Sequence, residues 1–258
     1  MPKTKIEWCD YTINPVKGLC PMACPYCYAR RMYLNPYYKS MYQHPEVRWY
    51  PPAFDLLDTL KKPSRIFVGS TFELFLDSLP ENWMDYNLRT AERYPHHTFI
   101  FLTKQPQNLP KFADKDGRFP DNCWVGATIT NDAMMPEVVK AFDNIWASMK
   151  FISFEPCLGR LSKESLKQIR DYLCQWVIIG AQTKPTVMPK IEWVKEIVEA
   201  ADKAGIPVFL KDNLNPLFAQ NGCEYFTKYR DLMFSFKDFE PRGTRCHLRQ
   251  EMPEWLKL

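Results

Sequence analysis

Short apolar runs alternate with longer, helix-like segments along residues 54–213 of this 258-residue chain. Each run closes on small or polar residues, which is typical of a buried parallel strand at its carboxyl end. Alternation at this spacing predicts a parallel sheet whose strands are joined by right-handed helical crossovers. The predicted strands cover residues 65–71, 97–103, 123–129, 151–154, 176–180 and 206–210. The predicted helices cover residues 54–60, 81–94, 136–148, 162–173 and 189–204.

A further short strand is predicted at residues 11–16, ahead of the other six. Six strand–helix units are too few for a closed eight-stranded barrel. The alternation is compatible with a partial barrel and with a doubly wound open sheet, and by itself it does not separate the two.

Composition narrows the class of protein. Hydrophobic residues make up 46% of the chain and charged residues 25%, the profile of a globular protein with a sizeable core. No apolar run approaches the roughly 20 residues of a membrane span, and no signal peptide opens the chain, so we expect a cytoplasmic protein without a membrane partner. The net charge of +4 is too small to imply nucleic-acid binding by itself.

Polar or charged residues follow every predicted strand, where α/β barrels carry their functional groups. Solvent exposure at the strand ends accounts for the threonines and for Asn213. It accounts less well for Lys104 and Glu155, because a charge beside a strongly apolar run is costly unless it is paired. The strand-end segments are Gly69-Ser70-Thr71, Thr103-Lys104, Thr128-Ile129-Thr130, Glu155, Gly180-Ala181-Gln182-Thr183 and Lys211-Asp212-Asn213.

Three cysteines stand close together in the segment Cys20-Pro-Met-Ala-Cys24-Pro-Tyr-Cys27. Its two prolines prevent an ordinary helix and favour a tight loop that can turn the thiolates toward one point. A closed structural zinc site takes four ligands, and most iron–sulfur clusters take four cysteines. A cubane cluster held by three cysteines leaves one iron open to a small molecule.

This spacing, with the aromatic Tyr26 before the last cysteine, resembles the cluster motif of the radical S-adenosylmethionine superfamily. The flanking residues 6–15 and 28–32 resemble a phage-associated branch of that superfamily, which brings no known substrate. The resemblance implies a [4Fe–4S] cluster on Cys20, Cys24 and Cys27, with S-adenosylmethionine on the open iron. It also favours the partial (βα)6-type barrel over the doubly wound sheet, with a barrel domain at residues 1–213 and an extension at 214–258 packed on it.

The resemblance also implies contacts to S-adenosylmethionine. In the family the second strand usually ends in Gly-Gly-Glu, which holds the methionyl amine; here the match is Gly69-Ser70-Thr71, so the glutamate is missing and backbone carbonyls or the Thr71 hydroxyl would replace it. Gly180 would let the backbone approach the adenine closely. The remaining expected cofactor contacts are Tyr26, Lys104 at the carboxylate, Thr128 and Thr130 at the ribose, and Glu155 at a ribose hydroxyl or the amine.

The chemistry implied is reductive cleavage of S-adenosylmethionine to methionine and a 5′-deoxyadenosyl radical, which abstracts hydrogen from a substrate. The protein binds, orients and excludes water, while the cofactor supplies the difficult step. A flavodoxin or ferredoxin is the expected reductant, and the chain is expected to be a monomer.

The substrate stays open between two classes. A nucleic acid or nucleotide would suit the strand-end lysines, the aromatic loop at 37–50 and the basic tail, and a distant similarity to the lyase that repairs thymine dimers in spores agrees with it. The weak net charge favours a peptide or a small metabolite instead. Lys211 and Asp212 are the expected substrate contacts, and the basic tail residues are Arg242, Arg245, His247 and Arg249.

A different class of protein is the alternative to an enzyme: a zinc-stabilised binding protein in which Cys9 or a distant residue supplies a fourth ligand. Cys223 and Cys246 leave a second cluster open as a further alternative. Nine cysteines, an odd number, do not favour a disulfide framework. We expect the remaining three to be small buried apolar residues: Cys123, Cys157 and Cys174.

Overall fold

The fold is built on a parallel sheet. The structure, a computed structural model, describes residues 3–32, 35–36, 46–171, 173–219 and 248–253. Within them lie a seven-stranded sheet and a separate two-stranded antiparallel sheet. The seven-stranded sheet contains, in spatial order, β1 (Tyr11–Ile13), β4 (Arg65–Val68), β5 (Thr98–Thr103), β6 (Cys123–Thr128), β7 (Met149–Phe154), β8 (Trp176–Ile179) and β9 (Val208–Leu210). The two-stranded sheet pairs β2 (Val16–Lys17) with β3 (Arg48–Trp49).

Helices occupy the connections between the strands. The α-helices are α1 (Tyr28–Met32), α2 (Asp55–Thr59), α3 (Glu81–Arg93), α4 (Leu109–Phe112), α5 (Met135–Asp143), α6 (Lys163–Arg170), α7 (Ile191–Lys203) and α8 (Asn215–Ala219). Short 3-10 helices lie at Pro51–Phe54, Pro106–Asn108, Asp132–Met134 and Asp212–Leu214.

The order of the sheet strands identifies the topology. Apart from β2 and β3, each strand lies beside the one that follows it in the chain. A doubly wound sheet reverses its strand order at a switch point, whereas a barrel does not. Among the described strands there is no reversal, so the predicted α/β class and its partial-barrel topology are confirmed, and the doubly wound alternative is wrong.

The chain divides into two compact units, Met1–Ala127 with Pro136–Lys150, and Thr128–Met135 with Phe151–Leu258. In the first unit β1, β4, β5 and β6 pair in parallel. In the second unit β8 pairs in parallel with β7 and with β9. The predicted division into residues 1–213 and 214–258 stays a prediction.

Several element boundaries differ from the predicted ones for local reasons. Strand β4 ends at Val68 and not at residue 71, because Gly69 adopts a positive φ of 80° that leaves the extended conformation. Helix α5 ends at Asp143, where the Asn144 side-chain amide donates to the Lys140 carbonyl and closes the last turn. The two-stranded sheet of β2 and β3 is not predicted by the sequence, since strands of two residues show no hydrophobic period.

Buried side chains of the sheet form the core. All residues of β6 and of β8 are buried, as expected for strands covered on both faces. Trp176 is fully buried between Phe151 and Phe209, and its indole N–H donates to the Glu251 carbonyl at 3.0 Å. The interpretation of three cysteines as buried apolar residues is confirmed for Cys123, Cys157 and Cys174.

The segment at residues 248–253 covers the outer edge of β9. The Leu210 N–H donates to the Arg249 carbonyl at 2.7 Å, and the Glu251 N–H donates to the Val208 carbonyl at 3.0 Å. The Arg249 guanidinium forms ion pairs with Glu251 and Asp202, so this predicted basic tail residue is neutralised within the fold. An unpaired strand edge invites association with other chains, and this segment blocks it.

The helices in the described parts of the chain are too short or too polar to cross a membrane. Several sequence features lie outside the described residues: the aromatic part of the loop at 37–45, Cys223, and the tail residues Arg242, Arg245 and His247 with Cys246.

Candidate functional site

The three-cysteine loop joins strand β2 to α1 and makes a tight turn. Ala23 adopts a positive φ of 48°, and the Cys27 N–H donates to the Cys24 carbonyl at 3.0 Å. Cys20 is buried, whereas Cys24 and Cys27 are half-buried, as is Tyr26 between them. None of the three cysteines forms a disulfide.

Two side chains of α1 hold the loop in place, one bonded to the residue that follows β4 and its turn glycine, the other to the loop itself. The Tyr28 hydroxyl donates to the Ser70 carbonyl, just beyond the end of β4. The Arg30 guanidinium donates to the Cys20 carbonyl at 3.2 Å. The cysteine loop therefore lies against the carboxyl end of β4, where the sequence predicts a cofactor site.

Cys20 is the buried member of the three cysteines. Burial raises the pKa of its thiol, and the nearby Glu73 carboxylate and Cys27 thiol raise it further. The neighbouring backbone N–H groups of Glu73 and Met22 act in the opposite direction, but the net shift of the pKa is upward. Without a metal, this environment therefore favours the uncharged thiol over the thiolate.

The end of β4 is organised by Asn14, which follows β1. Its side-chain oxygen accepts hydrogen bonds from the Ser70 hydroxyl, the Thr71 hydroxyl and the Thr71 backbone N–H, each at 3.1 Å. In the described residues its side-chain NH₂ group has no hydrogen-bond partner. Asn14 therefore fixes the turn after Gly69 and keeps two donors available at the same strand end.

A buried glutamate follows the same turn. The Glu73 carboxylate accepts from the Thr103 hydroxyl at 2.7 Å, from the Lys104 N–H at 2.8 Å and from the Phe75 N–H at 3.1 Å. The Lys104 ammonium group, half-buried at the end of β5, has no ion-pair partner in the part of the chain that the structure describes. The first unit thus combines the three-cysteine loop with a buried carboxylate and, within the described residues, a cation without an ion-pair partner at the end of β5.

The second unit has its own polar cluster at the ends of β7 and β9. The Lys211 ammonium lies 2.7 Å from the Glu155 carboxylate, which also accepts from the Ser153 hydroxyl at 3.2 Å. The predicted cost of an unpaired Glu155 is thereby avoided. Gly180 lies beneath this pair, since a Cβ atom there would lie 3.1 Å from atoms of both side chains.

The other strand-end residues of this unit differ in how they are bonded. The Thr128 hydroxyl is buried and has no hydrogen-bond partner among the described residues. The Thr130 hydroxyl donates to the Met134 sulfur at 3.4 Å. The Asp212 carboxylate accepts from the Gln250 side-chain amide at 3.1 Å. Thr128 is consequently the group that most needs an external partner, because a buried hydroxyl without one is costly.

The sequence-predicted site residues fall into two sets, one in each unit, and their roles stay predictions. The first set is Cys20, Cys24, Tyr26, Cys27, Gly69, Ser70, Thr71 and Lys104, and the second is Thr128, Thr130, Glu155, Gly180, Lys211 and Asp212.

Sequence reasoning missed Asn14 and Glu73. The segment Gly69-Ser70-Thr71 contains no glutamate, but the structure places the Glu73 carboxylate, two residues beyond Thr71, at the end of β5. Its position inside the apolar run Phe72-Glu-Leu-Phe-Leu76 was the available indication, by the same reasoning that selected Glu155.

Cysteine is the residue type that holds an iron–sulfur cluster, and the three cysteines lie within eight residues of chain, outside any disulfide. Their side chains are not gathered around one point: among the described residues, which include all three cysteines, no group of three or more His, Cys, Asp or Glu side chains is arranged to hold a metal ion. The loop therefore has the donor chemistry of a cluster site without the geometry that the sequence predicts.

The fold and this loop define a class, a parallel α/β protein with a three-cysteine loop at the carboxyl end of its sheet. Residues 3–220 match the family model described as "Protein of unknown function (DUF5131)", and the chain belongs to that family. A search among curated proteins gave no match.

One solved structure to which the chain is similar is a cysteine-to-serine mutant of spore photoproduct lyase. The two are 12% identical, with a TM-score of 0.43, over 96% of this chain and 71% of the other. At this distance the likeness says nothing about function.

Proposed function

We propose that this protein is a radical S-adenosylmethionine enzyme, with a [4Fe–4S] cluster on Cys20, Cys24 and Cys27. The observation that supports the proposal most is the attachment of the segment that follows the cysteine loop to the end of β4, through the Tyr28 hydroxyl and the Ser70 carbonyl. Cys20 is buried, while the other two cysteines remain partly accessible. One buried cysteine beside two accessible ones suits a cluster that must also receive a ligand.

The groups around the loop would serve as the binding surface for the cofactor. The Lys104 ammonium would attract the methionyl carboxylate, since no ion-pair partner in the described residues competes for it. The Asn14 side-chain NH₂ group lies at the neighbouring strand end and can donate to a polar atom of the same ligand. When bound, the cluster and S-adenosylmethionine supply one-electron cleavage and hydrogen abstraction.

In the second unit the proposed cofactor contacts are Thr128, Thr130, Glu155 and Gly180. Thr128 supports this part of the proposal, because its buried hydroxyl lacks a partner in the described residues and could bond a ribose hydroxyl. Gly180 stays in the proposal as the expected adenine contact, and because the Glu155 and Lys211 side chains lie over it, a ring could approach only from another side. Glu155 is already held by Lys211 and Ser153, so its carboxylate would reach a ligand from a fixed position.

We propose a nucleic acid or nucleotide as the substrate, with Lys211 and Asp212 among its contacts. An aromatic cluster in the first unit is compatible with base stacking: Trp49 stacks on Trp83 at 5.4 Å between ring centroids, and Tyr86 is 40% exposed beside them. The Arg93 guanidinium lies over the Tyr86 ring at 5.8 Å. A peptide or small metabolite is the alternative substrate class, and a flavodoxin or ferredoxin is the proposed reductant.

The test is anaerobic reconstitution with iron and sulfide, followed by metal analysis and an assay for 5′-deoxyadenosine released from S-adenosylmethionine under reduction. We expect about four irons per chain and slow release of 5′-deoxyadenosine. Both should be lost in the C20A/C24A/C27A variant. The control is Cys174→Ala, which removes a buried cysteine outside the loop and should retain both properties. Stoichiometric zinc without iron would contradict the proposal and favour a zinc-stabilised binding protein.

A further inference from the structure

Glu73 occupies the junction of three elements, the cysteine loop, the end of β4 and the end of β5. The residue is only 7% exposed. Its backbone N–H lies near the Cys20 sulfur, and its carboxylate accepts hydrogen bonds from Thr103 and Lys104 at the end of β5. Glu73 therefore adjoins the cysteine loop and is held to β5 by its side chain.

The carboxylate already has the donors that a buried anion requires. Oε1 accepts from the Thr103 hydroxyl at 2.7 Å and the Phe75 N–H at 3.1 Å, and Oε2 accepts from the Lys104 N–H at 2.8 Å. Hydrogen bonds to an ionised oxygen are stronger than those between neutral groups. A ligand's amino group would have to compete with these donors at a residue that is largely removed from water.

The turn that carries Glu73 is itself tightly folded. The Phe72 N–H donates to the Gly69 carbonyl at 3.2 Å. A Cβ atom at Gly69 would lie 2.6 Å from the Leu74 side chain, so the segment closes directly over this glycine. The Asn108 side-chain amide donates to the Phe75 carbonyl at 2.7 Å and holds the far end of the turn. Glu73 is therefore presented by a segment with little freedom to move.

Lys104 is the residue whose position depends most on this arrangement. The Glu73 carboxylate holds its backbone N–H, while its ammonium group stays without an ion-pair partner in the described residues. Holding the backbone of Lys104 limits the volume that its side chain can reach. Glu73 also lies near Cys20, so the same residue adjoins the cysteine loop and the end of β5.

We propose that Glu73 is a positioning residue that fixes Lys104 beside the cysteine loop, and that it is not a ligand of the cofactor's amino group. This inference rests on the proposed function for the roles of the loop and of Lys104. The hydrogen bond from Lys104 to Glu73 does not depend on the cofactor, so it can be tested in the cluster-free protein.

The first measurement is amide hydrogen exchange of the cluster-free protein, read at Lys104 and at residues 72–75. We expect Glu73→Gln to accelerate exchange at Lys104 about tenfold or more, because one charged acceptor is replaced by a neutral one that presents an NH₂ group to donors. Thr103→Val, which removes one donor and keeps the carboxylate, should accelerate it less. Glu92→Gln, an exposed change on α3, is the matched control and should leave it unchanged.

The second measurement is binding of S-adenosylmethionine to the reconstituted protein. If Glu73 is a positioning residue, Thr103→Val, which leaves the carboxylate in place, should weaken the binding of S-adenosylmethionine in parallel with faster exchange at Lys104. If Glu73 instead binds the amino group of S-adenosylmethionine directly, Glu73→Gln should lose binding while amide exchange at Lys104 in the cluster-free protein stays unchanged. This result would overturn the inference. If the wild type binds no iron, the proposed function fails. The exchange experiment still decides whether the Glu73 carboxylate holds the Lys104 backbone in place.

Discussion

The ammonium of Lys211 lies 2.7 Å from the carboxylate of Glu155, directly above Gly180. The two side chains are 19% and 18% exposed, so the pair is largely removed from water. Removing one partner from such a pair leaves a poorly solvated charge, which costs more than the pair itself contributes.

We therefore expect Lys211→Met to lower the free energy of unfolding by about 2 kcal/mol. Glu155→Gln should cost less, and the double variant should recover part of the loss because neither charge is left alone. Urea unfolding of the wild type, the two single variants and the double variant measures the coupling. Strictly additive effects would show that the pair is not coupled in solution.

Gly180 provides a second test of the same cluster. A Cβ atom there would lie 3.1 Å from Glu155 and from Lys211, closer than ordinary contact. Gly180→Ala should lower the free energy of unfolding by about 1–2 kcal/mol, measured by urea unfolding.

The matched control is Gly159→Ala, whose Cβ would lie 3.4 Å from the Asn131 side chain, at ordinary contact distance. This variant should be nearly neutral. Equal losses in the two variants would mean that the crowding above Gly180 is not the cause.

His97 makes stability depend on pH. Its imidazole is buried, neither ring nitrogen has a hydrogen-bond partner among the described residues, and burial, with the nearby His96, lowers its pKa from 6.5 to about 4. Since the folded state resists protonation, the unfolded state binds the proton first as the pH falls below 6.5. Stability should be full above that pH and should decrease by an amount on the order of 1 kcal/mol between about pH 7 and about pH 5.

The check is chemical unfolding at both pH values for the wild type, for His97→Phe and for His96→Gln, which changes an exposed neighbour. The difference between the two pH values should largely disappear in His97→Phe. It should remain, somewhat reduced, in His96→Gln, because burial is the larger cause of the lowered His97 pKa and His96 the smaller. A pH dependence that is the same in His97→Phe as in the wild type would assign it to other groups.

The segment at 248–253 should protect the edge of β9. A chain that ends after residue 247 loses the backbone hydrogen bonds to β9 and the Trp176–Glu251 hydrogen bond. We expect a lower melting temperature and concentration-dependent self-association, measured by thermal unfolding and size-exclusion chromatography. A chain that ends after residue 253 keeps these contacts and is the control; identical behaviour of the two would contradict this role for the segment.

Much of the fold could be predicted because long-range order follows from a local pattern. The apolar runs at β5, β6 and β8 are long enough to be recognised, and their alternation with helices specifies parallel pairing. The antiparallel pairing of β2 with β3 could not be predicted, since two-residue strands have no hydrophobic period and the two strands are far apart in the chain.

The candidate site was predicted less completely, because its organisation depends on side chains that meet across strands. The cost of a charge beside an apolar run predicted that Glu155 has a partner, and the structure identifies that partner as Lys211. The role of Asn14 could not be predicted, since an asparagine after a short strand is ordinary in sequence and its three hydrogen bonds reach residues 56 and 57 positions later. Glu73 has a recognisable sequence feature, a charge inside an apolar run, and it lies two residues beyond the expected strand-end segment Gly69-Ser70-Thr71.

The measurement that tests the central claim most directly is electron paramagnetic resonance of the reduced, reconstituted protein with and without S-adenosylmethionine. The account predicts the signal of a reduced [4Fe–4S] cluster whose g-values change when S-adenosylmethionine is added, and no such signal in the C20A/C24A/C27A variant. A reduced-cluster signal that stays the same with S-adenosylmethionine, or one that survives loss of the three cysteines, would contradict the assignment of Cys20, Cys24 and Cys27 to a cluster with an open iron.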